Sequence, residues 1–271
     1  MRWVCGDQHG CIFTLEHLLA KIREQDPEPS LYFIGDYADR GMHSKEMLEC
    51  LVGLQENGAV FIRGNHDDVV DYLVNDHSES YPSEWVSMPP TIEKVVSWWM
   101  RNGFDTTCTS YGIKLPPIVF GPYGARVSEP DAEVVVQELR SAMPYAHKQF
   151  LRDLKLWHEE TDFFLFHGYH RPFDELPRDF KFLRGNPHEW LWSRFNEHLI
   201  LDPDFSPAWD KKGIFGHTPV SCYGETRPIS LRKLVLIDTG AFMKQGMAAY
   251  CVDTDASVYV ESDARDLHPK W

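Results

Sequence analysis

Five short segments of the 271-residue chain repeat one arrangement: an apolar run, a glycine turn, then side chains able to hold a cation. They are Gly6-Asp7-Gln8-His9-Gly10, Gly35-Asp36-Tyr37-Ala38-Asp39-Arg40-Gly41, Gly64-Asn65-His66-Asp67, His167-Gly168 and Gly216-His217-Thr218. Taken singly, each is weak. A lone His is more often a hydrogen-bonded structural residue, and an Asp after a strand more often caps a helix or turn. The chain has 13 His, and others, such as His17, His77 and His268, have no such setting. Five loops of this kind in one chain are hard to attribute to capping. Glycine lets backbone turn sharply and approach a ligand closely, so these loops can gather carboxylate, amide and imidazole donors in one crevice.

The elements that must position them read as strand–helix–strand–helix–strand. Arg2 to Gly6 is apolar, and Leu15, Leu18, Leu19 and Ile22 then recur at helical spacing. A second strand, Leu31 to Ile34, precedes a helix that Ser44 could cap, with Met47, Leu48, Leu51 and Leu54 on one face. Val60 to Ile62 is a third strand. Residues 70–150 read as a largely helical cap or insertion, with Pro breaks at Pro89-Pro90 and Pro116-Pro117 and helices over Glu133 to Leu139 and His147 to Leu156. Strand signals return at Phe163 to Phe166 and Gly213 to Phe215. Leu234 to Ile237, Ala248 to Val252 and Val258 to Val260 follow, and are expected to form a second, more antiparallel sheet. The pattern predicts an α/β (α+β) chain, one domain over 1–271, with two packed mixed sheets flanked by helices. In such sheets ligands collect beyond the carboxyl ends of the strands, where the five loops lie.

Composition narrows the class. Hydrophobic residues make up 43% and charged residues 25%, which suits a globular protein rather than a disordered one. No apolar run approaches the roughly 18–20 residues that span a bilayer, so no membrane association is expected. The first strand begins at once, leaving no room for a secretory apolar region, and a cytoplasmic protein is expected. Six scattered cysteines without a C-x-x-C pair argue against structural zinc and a disulfide scaffold, and read as small buried residues. The net charge of −14 disfavours extensive nucleic-acid binding, although a local cation site could still attract a phosphate.

The five motifs, in this order, resemble the metal-dependent phosphoprotein phosphatase family of calcineurin-like metallophosphoesterases, whose pattern is GDxHG, GDxxDRG, GNH[ED], then His, then GH. The resemblance is to the bacterial and phage serine/threonine phosphatase branch and runs over nearly the whole chain. Trp99 to Gly112, Trp192-Ser193-Arg194 and Ile237 to Ala241 also resemble that branch. The chain departs from the family pattern at Ala38 (usually Val), at Asp67 (Glu in eukaryotic members) and at His167-Gly168, which lack an intervening Ala. The C-terminal Ser-Ala-Pro-Asn-Tyr segment of eukaryotic members is absent, so their regulatory subunits do not carry over.

The resemblance implies two divalent ions. Asp7, His9 and Asp36 would hold the first; Asp36, Asn65, His167 and His217 would hold the second, with Asp36 bridging. Such mixed donors suit Mn²⁺, with Fe or Zn²⁺ as alternatives. By the same resemblance His66, paired with Asp39, protonates the leaving oxygen, and Arg40 and Arg194 grip the phosphate. A carboxylate beside the imidazole favours the cation that a general acid needs. Arg63 reads as an ion-pair residue. The expected activity is hydrolysis of phosphomonoesters, phosphoserine or phosphothreonine in proteins first, and small phosphate esters. The alternatives at the same site are a dinucleoside polyphosphate hydrolase and a 2′,3′-cyclic phosphodiesterase. A non-catalytic phosphate-binding protein is the reading from a different class. The expected partners are therefore a phosphorylated protein or a small phosphate ester; the sequence leaves the oligomeric state open.

Overall fold

The computed structural model describes residues 1–75, 91–121, 124–169, 191–202, 207 and 209–270. Two five-stranded sheets pack face to face. Strands β1 (Arg2–Cys5), β2 (Ser30–Phe33) and β3 (Val60–Phe61) run parallel, each followed by a helix: α1 (Ile12–Gln25), α2 (Ser44–Glu56) and α3 (Asn65–Val74). Next come α4 (Ile92–Trp99), α5 (Phe104–Ser110), a hairpin of β4 (Val119–Gly121) and β5 (Gly124–Arg126), α6 (Glu129–Ala142) and α7 (Tyr145–Asp153). The second sheet holds β6 (Trp157–Glu159), β7 (Phe163–Phe166), β8 (Lys212–Phe215), β9 (Ile229–Leu231) and β10 (Leu234–Leu236), ordered β6-β7-β8-β10-β9. Strands β11 (Met247–Cys251) and β12 (Ser257–Val260) complete the first sheet, ordered β12-β11-β1-β2-β3.

Side-chain alternation along the strands builds three layers of core. On β1, Val4 points at the second sheet, while Trp3 and Cys5 point at the helices. On β7, Phe163 and Leu165 face the first sheet, and Phe164 and Phe166 face outward under Tyr169, Phe195 and Tyr223. Both sheets are therefore covered on both faces, which is why their strands read as unbroken apolar runs. Val95, Trp99, Val135 and Phe150, from α4, α6 and α7, share one core with Leu15 and Leu51 of α1 and α2. Emptying such a site, for example Phe150→Ala, is expected to cost roughly 3–5 kcal/mol.

Three expectations are corrected. The strands at 247–251 and 257–260 do not join the second sheet; they form an antiparallel hairpin beside β1, with Trp3 opposite Cys251 and Cys5 opposite Ala249. The run after His147 ends its helix at Asp153, and Trp157 starts an edge strand. Ser44 does not cap α2: it is the first helical residue, and its buried hydroxyl accepts the Asp39 amide at 3.1 Å. All six cysteines are free; Cys5, Cys11, Cys108 and Cys251 are buried, and Cys222 is exposed. No helix among the described residues is long and apolar enough to cross a membrane. Pro89-Pro90 and His77 lie outside the described residues.

Candidate metal centre

The five loops leave β1, β2, β3, β7 and β8 at their carboxyl ends. Parallel pairing within each sheet puts those ends on one edge. Close approach of the β2 and β3 loops depends on glycine. A Cβ on Gly35, at φ +101°, would lie 2.5 Å from the Gly64 nitrogen, and one on Gly64 would collide with the Asp36 backbone. His9, Asp36, Asp39, Arg40 and His217 all hold positive φ. Non-glycine residues adopt that region at a cost of order 1–3 kcal/mol each, which the packed strands beneath must hold in place.

Asp36 lies at the centre. Its Oδ2 is 3.4 Å from His9 Nε2, and its Oδ1 is 3.2 Å from His167 Nε2. Asn65 Oδ1 is 3.0 Å from His167 Nε2 and 2.9 Å from His217 Nδ1. The His217 amide donates to Asp7 Oδ2 at 2.9 Å, bringing the first motif to the last. Asp7, His9, Asp36, Asn65 and His167 are all buried.

Backbone carbonyls fix the ring tautomers. His9 Nδ1 donates to Ala38 O (3.1 Å), His167 Nδ1 to Ile34 O (2.9 Å) and His217 Nε2 to Trp192 O (3.1 Å). In the neutral rings of His9 and His217 the remaining nitrogen is then a lone-pair acceptor, aimed at Asp36 and at Asn65. Acceptors facing acceptors in a buried site repel unless a cation lies among them. Asp7 Oδ1 and His66 Nε2 are also buried and take no hydrogen bond among the described residues. Among the described residues two donor groups emerge, His9–Asp36–His66 and Asp36–His167–His217, sharing Asp36. Oxygen and imidazole nitrogen donors of this kind fit first-row divalent ions.

The electrostatics of the buried groups fit a site that demands positive charge. Burial, and then the charge of Asp238, raise Asp7 well above the usual carboxylate range. Burial opposes charge on His167, yet Asp36 and Asp7 push it up to about 9. Burial lowers His9 and His217 well below the usual imidazole value, leaving the neutral form that ligation uses.

His66 is placed as expected, with Nδ1 2.8 Å from Asp39 Oδ2. Its proton affinity is not as expected. Burial outweighs the pull of nearby carboxylates and lowers His66 to about 3, while burial raises Asp39 to about 7. A neighbouring carboxylate does not by itself raise an imidazole when desolvation falls on both partners. Arg40 Cζ sits 4.4 Å from the centroid of the Phe242 ring, and its backbone amide bonds Gly103 O. Arg194 is brought near His217, whose carbonyl accepts its Nη1 at 3.4 Å; its side chain is exposed. Arg63 is an ion-pair residue, bound to Asp68 (2.8 Å) and Asp71 (2.9 Å).

Four positions lie in the quoted motifs, but the sequence assigns them no role. Trp99 Nε1 and Thr107 Oγ1 donate to the Asp39 carboxylate at 2.7 and 2.5 Å. Asp67 accepts the amides of Asp36, Tyr37 and Gly64 at 2.8–2.9 Å, clamping two motif loops together. Asp238, beyond β10, is a further buried acid on the same edge, raised to about 6 by burial. Its position at the end of a strand was the available signal.

The family profile of the calcineurin-like phosphoesterases matches residues 2–221. A symmetrical bis(5′-nucleosyl)-tetraphosphatase of Xanthomonas campestris pv. campestris is 38% identical over 65 residues, which is 24% of this chain and 20% of that protein. The chain thus spans about a fifth of that curated relative's length. Among solved structures, one provisionally named a diadenosine tetraphosphatase superposes with a TM-score of 0.59 at 13% identity, covering 97% of this chain and 94% of its own. A metallophosphoesterase from Sphaerobacter thermophilus gives 0.51 at 14% identity, covering 97% and 88%. With its fold, its shared carboxylate and its matched motifs, the chain belongs to the calcineurin-like phosphoesterase family, enzymes that hydrolyse phosphoric esters at a divalent metal centre.

Proposed function

We propose that the protein is a two-metal phosphatase of the phosphoprotein-phosphatase branch, acting on phosphomonoesters, with phosphoserine or phosphothreonine in proteins as the first substrate class. The observation that carries the mechanism is the sharing of Asp36 between two groups of acceptors, with His66 Nε2 beside them. Asp7, His9 and Asp36 would hold one ion; Asp36, Asn65, His167 and His217 would hold the other. Mn²⁺ is the first choice, and Fe or Zn²⁺ suit the same donors. When bound, the pair would acidify a water and offset the charge of the phosphate.

The chain's own residues do the rest. Arg40, held by Phe242, and Arg194, exposed at the rim, fork the phosphate oxygens and fix their orientation. Asp39, fixed by Trp99 and Thr107, receives Nδ1–H of His66, so Nε2 is the atom that meets the leaving oxygen. Burial opposes charge on His66, and an arriving phosphate anion would favour a proton at Nε2, ready for the alkoxide. The stretch at about 70–150 contributes Trp99 and Thr107 and would belong to the same catalytic unit.

A second reading, cleavage of a dinucleoside polyphosphate, is supported by the tetraphosphatase names of two similar proteins. Phosphate release by metal-stripped protein, with and without Mn²⁺, tests both on a phosphoserine peptide, diadenosine tetraphosphate and a 2′,3′-cyclic nucleotide. Mn²⁺-dependent release with preference for the peptide is expected. Preference for the dinucleotide moves the assignment to the second reading. Metal-loaded protein inert on all three would leave a non-catalytic phosphate-binding protein.

A further inference from the structure

Beside the metal-centre residues lies a stack of indoles that the hydrolytic step does not use. Trp99 packs against His66, with ring centroids 4.7 Å apart. Trp192 contacts Trp99 at 5.7 Å and His217 at 6.2 Å, and its carbonyl holds the His217 ring. Trp98 lies on Trp192 nearly parallel, at 5.3 Å and 28°. Trp99 is fully buried, whereas Trp98 is 44% exposed. A scattered exposed apolar residue needs no explanation. This one has its ring plane fixed by a stacked neighbour and stands one indole away from a metal-centre histidine.

We propose that Trp98 is a nucleobase-stacking residue, so that the site accepts a nucleoside polyphosphate with its base on the Trp98 face and its phosphates toward Arg194 and the metal-centre residues. The inference rests on the hydrolytic reading above and favours its second substrate class. Spacing favours the base. A phosphotyrosine ring is bonded directly to its phosphate ester oxygen and phosphoserine carries no ring, whereas Trp98 stands two ring contacts from His217, at 5.3 and 6.2 Å. In a nucleotide, ribose and a second phosphate supply the needed span within one molecule. Stacking on an aromatic face tolerates every base and adds affinity without hydrogen-bond readout.

Calorimetric titration of ADP and of pyrophosphate onto the Mn²⁺-loaded protein isolates the contribution of the nucleoside. The wild type should bind ADP about tenfold more tightly than pyrophosphate, W98A should reduce that ratio about tenfold, and W98F should retain most of it. A purely structural role for Trp98 would weaken both ligands together and leave the ratio unmoved, which overturns the proposal. Equal wild-type affinities for the two ligands overturn it as well. So does an unmoved ADP ratio accompanied by loss of binding to an aromatic phosphopeptide, which would assign the indole to a peptide side chain. Phosphate release from β-glycerophosphate in parallel separates the two levels: ADP selectivity without hydrolysis sinks the hydrolytic reading and keeps the stacking assignment.

Discussion

The indole Nε1 of Trp99 donates to Asp39 Oδ2 at 2.7 Å, on the same oxygen that meets His66 Nδ1 at 2.8 Å. The bond ties a residue of α4 to the polar pair at the centre of the site, and it opposes the rise that burial causes at Asp39. Removing a hydrogen bond to a buried charged group typically costs about 1.5–3 kcal/mol. W99F keeps the ring against His66 and deletes the donor. Its kcat is expected to fall about tenfold or more, with KM little changed, in steady-state phosphate release. An equal loss confined to KM would place Trp99 in substrate binding instead.

Asp67 clamps the second and third motif loops through three backbone amides. In D67N an amide NH₂ would confront one or more of those N–H groups. Chemical denaturation should show a loss of roughly 1–3 kcal/mol, with weaker Mn²⁺ binding because Asp36 and Asn65 lose their shared brace. Full stability in D67N would contradict the clamp.

Mn²⁺ should stabilise the folded chain by mass action, about 2.7 kcal/mol at a free concentration one hundred times Kd. D36N removes the carboxylate common to both donor groups. Thermal unfolding should show a Mn²⁺-induced rise in Tm for the wild type and almost none for D36N. A full rise in D36N would exclude Asp36 as the shared ligand.

His147 joins α2 to Tyr111, at the end of α5, away from the metal centre. Its Nδ1 accepts the Tyr111 hydroxyl at 2.7 Å, and its Nε2 donates to Glu49 at 2.9 Å. Burial, opposed by Glu49, lowers its pKa below 6.5. The unfolded chain therefore binds this proton more readily, so the contribution is present above pH 6.5 and is lost as pH falls through the folded-state value. Urea denaturation of the wild type and H147Q between pH 7.5 and 5 should show a shallower fall in the variant. Parallel slopes would show that His147 is not the titrating group.

Much of the site was legible because metal chemistry restricts residue type and because strand ends show as apolar runs stopping at glycine. Asp7, His9, Asp36, Asn65, His167 and His217 stand together in space as their loops suggested. The contacts of the long-range supports left no such trace. Trp99 and Thr107 reach Asp39 across 60 and 68 residues, at helical spacing indistinguishable from core. The strands at 247–251 and 257–260 were visible as strands, but apolar alternation identifies a buried face and not the neighbouring strand. His66 was assigned by its neighbour, while its proton affinity depends on burial, which a local sequence pattern does not reveal.

His66 is proposed to carry a proton for a reaction performed at residues sharing Asp36. The most direct test is phosphate release by H66N, measured at a metal content verified by elemental analysis. H66N and the wild type are both expected to hold two ions per chain, with kcat of the variant reduced about 10²–10⁴-fold. Wild-type turnover in H66N with both ions bound would contradict it.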